Sequence, residues 1–388
     1  LLTYYFQIRH RMVRKLGVEY WDPETGARCA HRDVGLDAVV EAFVGGQDNI
    51  QVGDQEIPVK AIAPDIAFVH LPQVNELTSE ERIGEGGFAV VYKGVMNGEK
   101  EVAIKQLKGD VDTEKFLEFA HEVSVMSMLD HPNLVKLYGV TFKPHFSMIL
   151  EYIPNKSLHD HLNNKDLSDD DFTWYIRTRI LIDIASGLNY LQTLKPPIIH
   201  RDLRSPNIFI QSLDAGAEIL AKIGDFGLAQ YTTIPLDEAL KTFQCLAPEI
   251  LASTRVKYDE RADTYSFAIL MWEVVSRDYP FGEHVEYLLR REEVLSPEQL
   301  ADEDLLESLS KQGWILEGDT AVFEEWKMQE VKTAIITDNL RPTIPQTCPS
   351  EIETLIRECW VGEPEQRPLM SKVLEGLKAF KDTLSQEA

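Results

Sequence analysis

The sequence predicts an α+β protein with two lobes, a small β-rich lobe that carries one helix and a larger lobe that is mainly helical. Short apolar runs typical of strands dominate residues 75–153 and enclose a single helical period. From 154 to 380, helical periods separated by Pro and Gly take over. Residues 1–74 alternate apolar runs with turn signals after one basic helix, which predicts a small β-containing accessory segment.

Composition excludes several classes of protein. The 388 residues are 44% hydrophobic and 27% charged, which suits packed globular units and excludes collagenous, disordered and disulfide-scaffold chains. The net charge of −25 would repel phosphate backbones, so no nucleic acid partner is expected. Four cysteines without CxxC spacing suit a reducing compartment, and we expect a cytoplasmic protein. Because the chain opens Leu1-Leu2-Thr3, without Met or a signal peptide, we expect a fragment of something longer.

A glycine-rich run opens the small lobe. Residues 83–91 read Ile-Gly-Glu-Gly-Gly-Phe-Ala-Val-Val, with Gly84 and Gly86 where a strand–turn–strand would let backbone amides approach phosphate oxygens. A dinucleotide fold uses a similar run but follows it with a helix, whereas here a second strand follows. That apolar strand ends at Lys105, and a buried ammonium there needs an anion opposite it.

One helix, predicted from 113 to 129, supplies that anion. Apolar side chains recur at spacings of three and four from Phe116 to Met126 and form a core-facing stripe. Glu122 borders this stripe, so we predict that it pairs with Lys105. The alternative is that Glu122 extends into solvent.

Oxygen-bearing side chains cluster in two later loops. Residues 199–207 read Ile-His-Arg-Asp-Leu-Arg-Ser-Pro-Asn, and 222–227 read Lys-Ile-Gly-Asp-Phe-Gly. Asp202, Asn207 and Asp225 are therefore candidates to hold a hard cation beside a phosphate, since Mg²⁺ prefers carboxylate, amide and phosphate oxygens.

Taken in order, these motifs resemble the signature of the eukaryotic protein kinases. The run 247–249, Ala-Pro-Glu, together with Asp263 and Arg367, extends the resemblance over the large lobe. Residues 203–214 and 341–345 are similar to the tyrosine-kinase-like group, and within it to the Roco or leucine-rich-repeat kinase family. The resemblance implies the bilobal protein kinase fold and transfer of the ATP γ-phosphoryl group to protein hydroxyls.

The resemblance also implies ATP and Mg²⁺ as cofactors and a role for each matching residue. Asp202 would accept the hydroxyl proton, Lys105 held by Glu122 would contact the α and β phosphates, and Asn207 and Asp225 would hold Mg²⁺. The implied ATP pocket consists of Ile83, Gly84, Gly86, Val91, Ala103, Lys105, Glu151, Ile153 and Phe209. Implied structural or regulatory positions are His200, Arg201, Phe226, Glu249, Asp263, Arg367, Thr232 and Thr233.

The acceptor hydroxyl is predicted from the segment before Ala247. Thr242 stands where serine/threonine kinases place a threonine that bonds the catalytic Asp and the basic residue beside it, here Asp202 and Arg204. Tyrosine kinases tend to have proline there, followed by Lys-Trp, whereas this chain continues Phe-Gln-Cys. We therefore expect Ser/Thr specificity, with Thr232 or Thr233 as an autophosphorylation site.

Three further expectations concern the whole protein. Roco proteins carry a GTPase and a COR domain before the kinase, so residues 1–74 are interpreted as the end of a COR domain, with a GTPase in the same full-length chain and homodimerisation through upstream domains. The stretch 283–330 holds fourteen acidic against four basic residues and is predicted to be a docked surface insertion. A pseudokinase that binds partners without turnover, and a small-molecule phosphotransferase, are the alternatives to an active protein kinase.

Overall fold

The computed structural model describes most of the chain from residue 77 onward and four short strands before it. The described residues are 18–21, 28–31, 49–52, 55–58, 77–87, 89–109, 113–141, 145–231, 243–252, 259–284, 288–300, 305, 314–317, 320–326 and 328–384.

Two antiparallel hairpins occupy the accessory segment. Strand β1 (Val18–Trp21) pairs with β2 (Arg28–His31), and β3 (Asn49–Val52) pairs with β4 (Gln55–Pro58). Each pair flanks a turn signal read from the sequence. The basic helix expected before them lies outside the described residues.

The small lobe is a five-stranded antiparallel sheet with one helix, as predicted. Its strands, in the spatial order β5-β6-β7-β9-β8, are β5 (Leu77–Glu85), β6 (Ala89–Met96), β7 (Lys100–Leu107), β8 (Leu137–Thr141) and β9 (Ser147–Glu151). Helix α1 (Thr113–Ser127) carries the predicted apolar stripe, of which Phe119, Val123 and Met126 are buried. The helix therefore packs by the face that Glu122 borders.

One strand begins later than predicted. The apolar run from Val135 to Tyr138 predicts a strand, which is observed as β8 from Leu137 because the preceding residues pair with the large lobe instead. Val135 N donates to Ile223 O at 2.8 Å, and Ile223 N donates to Asn133 O at 2.8 Å. This segment thus links the two lobes before the sheet resumes.

The large lobe is mainly helical, and its apolar core is continuous with that under α1. Its helices are α2 (Leu158–Leu162), α3 (Trp174–Thr193), α4 (Pro248–Ala252), α5 (Arg261–Ser276), α6 (Pro297–Leu300), α7 (Met328–Thr337), α8 (Ser350–Cys359) and α9 (Met370–Leu384). Helix α5 is buried along nearly its whole length, so it forms the centre of the lobe.

Two short ribbons lie between the lobes and carry the loop motifs. Strands β10 (Ile198–Ile199) and β11 (Ile208–Ile210) bracket the first motif, and β12 (Ala221–Ile223) and β13 (Gln230–Tyr231) bracket the second. The pairs β10–β13 and β11–β12 are both antiparallel. Pairing the strands in this way brings the two loops together.

The predicted insertion contains a sheet of its own. Strands β14 (Leu288–Val294), β15 (Trp314–Glu317) and β16 (Thr320–Trp326) pair antiparallel in the order β14-β16-β15. The sequence suggested only a docked surface element here, since acidic residues interrupt the alternation that indicates strands. Among the described helices, none has both the length and the apolar character needed to cross a membrane.

Candidate active site

The candidate site begins with an ammonium shared by two carboxylates. Lys105 on β7 donates from Nζ to Glu122 Oε1 at 2.7 Å and to Asp225 Oδ1 at 3.1 Å. Glu122 is buried, whereas the Asp225 side chain is 45% exposed in the cleft between the lobes. The structure thus places Glu122 at the partner position expected from the stripe on α1.

The ammonium of Lys105 lies between two carboxylates that attract it and repel each other. Burial alone would lower the pKa of Lys105, but the charges of Glu122 and Asp225 outweigh it and raise that pKa above its ordinary value. In turn the Lys105 charge lowers the pKa of Asp225. Lys105 is therefore cationic and Asp225 anionic at neutral pH, as binding of phosphates and of a cation requires.

Asp263 on α5 anchors the loop between β10 and β11 through hydrogen bonds to its backbone. Asp263 accepts hydrogen bonds from His200 N at 2.6 Å and Arg201 N at 3.0 Å. Arg201 has a φ of 69°, a left-handed conformation that is costly for a side chain of this size. The two hydrogen bonds that this buried carboxylate accepts stabilise the turn and so place the residues that follow it.

Asp202 and Asn207 face each other across that loop. Asn207 donates from Nδ2 to Asp202 Oδ2 at 2.8 Å, and Arg204 Nε lies 3.2 Å from Asp202 Oδ1. The side-chain hydrogen bonds of Asn207 with described residues use its Nδ2, which leaves its Oδ1 available to a metal ion. Gly224 N donates to Asn207 O at 2.9 Å, which brings Asp225 beside the same loop.

The residues fit a divalent cation held jointly with phosphate. Asp225 adopts a left-handed φ of 60°, and the hydrogen bond from its neighbour Gly224 to Asn207 O brings its backbone beside the loop of Asn207. Among the described residues, no three His, Cys, Asp or Glu side chains converge as a metal cluster. A cation here would therefore rest on one carboxylate and one amide oxygen, with phosphate and water oxygens completing its shell.

The Asp-Phe-Gly run is anchored on the large-lobe side. His200 donates from Nε2 to Gly224 O at 3.1 Å, and its ring meets the buried Phe226 ring edge-on with centroids 5.0 Å apart. A Cβ at Gly224 would lie 2.7 Å from Cε2 of Phe209, so only glycine allows that ring to pack here.

The expected ATP pocket lies along the sheet and the segment that follows it. Val91, Ala103 and Phe209 are partly buried, and Ile83 is exposed. Within the described residues the N–H of the buried Ile153 donates to no other group, so it can serve an adenine nitrogen.

Protein packing does not account for the glycines of the loop. A Cβ at Gly86 would meet only Ala89 O, at 3.8 Å, and one at Gly87 would meet nothing within 4 Å. The Gly86 N–H donates to Ala89 O at 2.8 Å, but no described atom would crowd a Cβ at either glycine, which suits the close approach of a phosphate.

Of the remaining predicted residues, two form an ion pair and three lie outside the described part of the chain. Glu249 forms a two-pronged ion pair with Arg367, with Nη1–Oε1 and Nη2–Oε2 both at 2.7 Å, as the kinase resemblance implied. Thr232, Thr233 and Thr242 lie outside the described residues.

Three contacts at the site were not predicted. His121 donates from Nε2 to Ala229 O at 2.7 Å and joins α1 to the segment after Asp-Phe-Gly. Ser205 donates from Oγ to Glu273 Oε1 at 2.8 Å beneath the catalytic loop. Lys222 pairs with Glu151, and its only sequence signal is a lysine in the middle of a short apolar strand.

Comparisons with known proteins identify the family. Residues 77–377 match the model of the protein tyrosine and serine/threonine kinase family. Two proteins of Dictyostelium discoideum, the probable serine/threonine-protein kinases qkgA and roco11, are each 33% identical to this chain over 89% of its length. The chain spans 22% and 21% of their respective lengths, about a fifth. The match covers both lobes and every loop described above, and the chain belongs to the protein tyrosine and serine/threonine kinase family.

Proposed function

We propose that the chain is an active protein serine/threonine kinase. The observation that carries the proposal is the ion-paired Lys105, with Glu122 on one side and the open carboxylate of Asp225 on the other. A pseudokinase would lack one or more of the groups that act on phosphate, metal or hydroxyl, and all of them are present.

Each residue has a defined part in this proposal. Lys105 would neutralise charge on the α and β phosphates, and the loop at Gly84 and Gly86 would cover them with backbone amides. Asn207 and Asp225 would hold Mg²⁺, which supplies neutralisation of the charge on the transferring phosphoryl group.

Asp202 would act as the proton acceptor. A serine or threonine hydroxyl of the protein substrate would give its proton to this carboxylate as its oxygen bonds to the γ-phosphorus of ATP. The bond from that phosphorus to the β,γ-bridging oxygen would break in the same step and release ADP. Asn207 and Arg204 hold the two carboxylate oxygens in place, so the acceptor is oriented before substrate arrives. Because the carboxylate is already oriented, no free energy is needed to reorient it during transfer.

Phosphate transfer to a generic basic protein tests the proposal. We expect Mg·ATP-dependent incorporation that stops when EDTA removes the cation and returns when Mg²⁺ is added in excess. Stabilisation by Mg·ATP in a thermal shift without any transfer would favour the pseudokinase alternative. Mn²⁺ in place of Mg²⁺ tests which divalent cation the site prefers.

Specificity for serine and threonine is supported by the names of the relatives and by Thr242 in place of proline. Phosphoamino-acid analysis after incubation with Mg·ATP should give phosphoserine and phosphothreonine in the substrate. Autophosphorylation is expected at Thr232 or Thr233, and a Thr232→Ala, Thr233→Ala double variant should lose it. Phosphotyrosine as the main product would contradict the interpretation of Thr242.

We propose a larger, cytoplasmic Roco-type protein around this kinase, with lobes at 75–153 and 154–380. Similarity to roco11 and the two hairpins within residues 1–74 support a COR domain ending there and a GTPase upstream. Binding of GTP by the full-length protein, and its mass in solution as a homodimer, test this arrangement.

A further inference from the structure

A nearly buried ion pair joins the two lobes behind the ATP pocket. The Lys222 ammonium donates to Glu151 Oε1 at 2.7 Å and to Oε2 at 2.9 Å. Their side chains are only 11% and 21% exposed. Lys136 N also donates to Glu151 Oε2 at 3.3 Å, which holds the carboxylate in one orientation.

The two partners belong to segments that contact opposite ends of a nucleotide. Glu151 is the last residue of β9 and lies two positions before Ile153, whose N–H has no acceptor among the described residues and is the proposed contact for adenine. Lys222 lies in the centre of β12, directly across from Phe209 in the β11–β12 ribbon. Asp225 follows Lys222 by three positions.

The ion pair between Glu151 and Lys222 adds little to the stability of the fold. Desolvating an ammonium and a carboxylate costs about as much as their attraction returns, so a buried pair of apolar residues would serve the core equally well. What the pair adds is a fixed geometry, because ammonium and carboxylate must stay about 2.7–2.9 Å apart. The pair therefore sets the spacing between β9, which leads to Ile153, and β12, which leads to Asp225.

We infer that Glu151 and Lys222 are positioning residues for the nucleotide: their ion pair holds the adenine-binding backbone and the metal-binding carboxylate at the separation that one Mg·ATP spans. The inference rests on the proposed kinase function. It predicts that loss of the pair weakens ligands that reach both segments and spares ligands that touch only one.

Substitution of Lys222 by Met, which keeps the length of the side chain and removes its charge, tests the inference. Affinities of the variant and of the wild type are measured by calorimetry for adenosine and for Mg·ATP. We expect the affinity for Mg·ATP to fall about tenfold, equivalent to roughly 1.4 kcal/mol, and that for adenosine to be unchanged. In steady-state assays the KM for ATP should rise while kcat changes little.

Lys136→Met is the matched control. Lys136 neighbours the same carboxylate through its backbone, but its ammonium is exposed and pairs with the exposed Asp130 at 3.1 Å. Its loss should leave both affinities at the wild-type value. Lys222→Arg, which restores a cation, should recover most of the affinity for Mg·ATP.

A double variant separates positioning from stability. Lys222→Met leaves the Glu151 carboxylate unpaired, and adding Glu151→Gln removes that charge, so the melting temperature should recover. The affinity for Mg·ATP should stay low, because the link between the segments is still missing.

Several outcomes would overturn the inference. Equal losses of adenosine and Mg·ATP affinity in Lys222→Met would mean that the pair affects only the adenine-binding backbone from Glu151 to Ile153. Unchanged affinity for Mg·ATP in that variant, or an equal loss in Lys136→Met, would remove the positioning role while leaving the kinase function intact. A wild-type protein that binds neither ligand would contradict the proposed function and the inference together.

Discussion

Two cation–carboxylate pairs of this chain differ in whether the cation can exchange one partner for another. Lys105 in the cleft divides its ammonium between Glu122 and the open carboxylate of Asp225. Arg367 in the large lobe is fully buried and binds Glu249 through two nitrogens, both at 2.7 Å. Its guanidinium also donates to three backbone carbonyls within 3.1 Å.

The difference lies in how many donors are free to change partner. Every nitrogen of Arg367 has a protein acceptor, so its position depends on the whole surrounding loop. The compact ammonium of Lys105 can leave Asp225 for a phosphate oxygen while Glu122 keeps it in place. The active site thus uses a cation with one permanent and one replaceable partner.

The largest effect on activity is expected from removing one charged group of the candidate active site. Lys105→Met and Asp202→Asn should each lower the rate of phosphoryl transfer about 10²- to 10⁴-fold, because each deletes one group that acts on the transition state. Both variants should still melt cooperatively, with Lys105→Met at a lower temperature because it leaves the buried carboxylate of Glu122 unpaired. A phosphate-transfer assay and a thermal melt check this, with Lys372→Met, at an exposed pair, as the control. Wild-type turnover in Asp202→Asn would contradict its role as proton acceptor.

The structural pair should behave in the opposite way. Arg367→Ala leaves the Glu249 carboxylate and three carbonyls unpaired, and should lower the free energy of unfolding by about 3–5 kcal/mol. The exposed Arg357–Glu353 pair on α8 is the matched control, and Arg357→Ala should cost about 0–1 kcal/mol. Urea unfolding measures both. Equal losses would remove the distinction between the two kinds of pair.

A third carboxylate sharpens the comparison because no Lys or Arg nitrogen of the described residues lies within 4 Å of it. Burial raises the pKa of Glu273 to about 7, although hydrogen bonds from Ser205 and the charge of Arg204 oppose the shift. The other titratable groups facing it are Cys245 and Tyr279.

The pH dependence follows from the sign of that shift. A carboxyl group whose folded pKa exceeds its unfolded value contributes stability below pH 4.5, which is lost as pH rises through about 7. Between pH 5 and pH 8 the free energy of unfolding should fall by up to about 3 kcal/mol through this group. Glu273→Gln should flatten the decline, as urea titrations at several pH values would show. An unchanged slope in that variant would refute the assignment.

The smallest effect is expected from removing the acidic insertion. Excising residues 286–326, which lie within the predicted insertion 283–330, and closing the gap with a short flexible linker removes the sheet of β14, β15 and β16 as a unit. Leu295 is buried, so a loss of about 2 kcal/mol is expected. Transfer activity should persist. Loss of cooperative melting would mean that the sheet is part of the core.

The sequence alone determined the two-lobed α+β architecture and the candidate residues of the site. The chemistry of their oxygen atoms marked Asp202, Asn207 and Asp225 as candidates, and the resemblance to protein kinases implied the role of each. The pairing of Glu122 with Lys105 was predictable as well, since helical periodicity marks the face that packs against the sheet.

Only the tertiary structure decided the contacts between distant segments. Glu151 meets Lys222 across 71 positions, and Ser205 meets Glu273 across 68. Neither pair belongs to a periodic pattern, so nothing local marks one residue as the partner of the other. The late start of β8 has the same origin, because Val135 bonds to Ile223 of the large lobe rather than extending its own strand. Such contacts form when whole elements dock, and packing of the two lobes chooses which side chains meet.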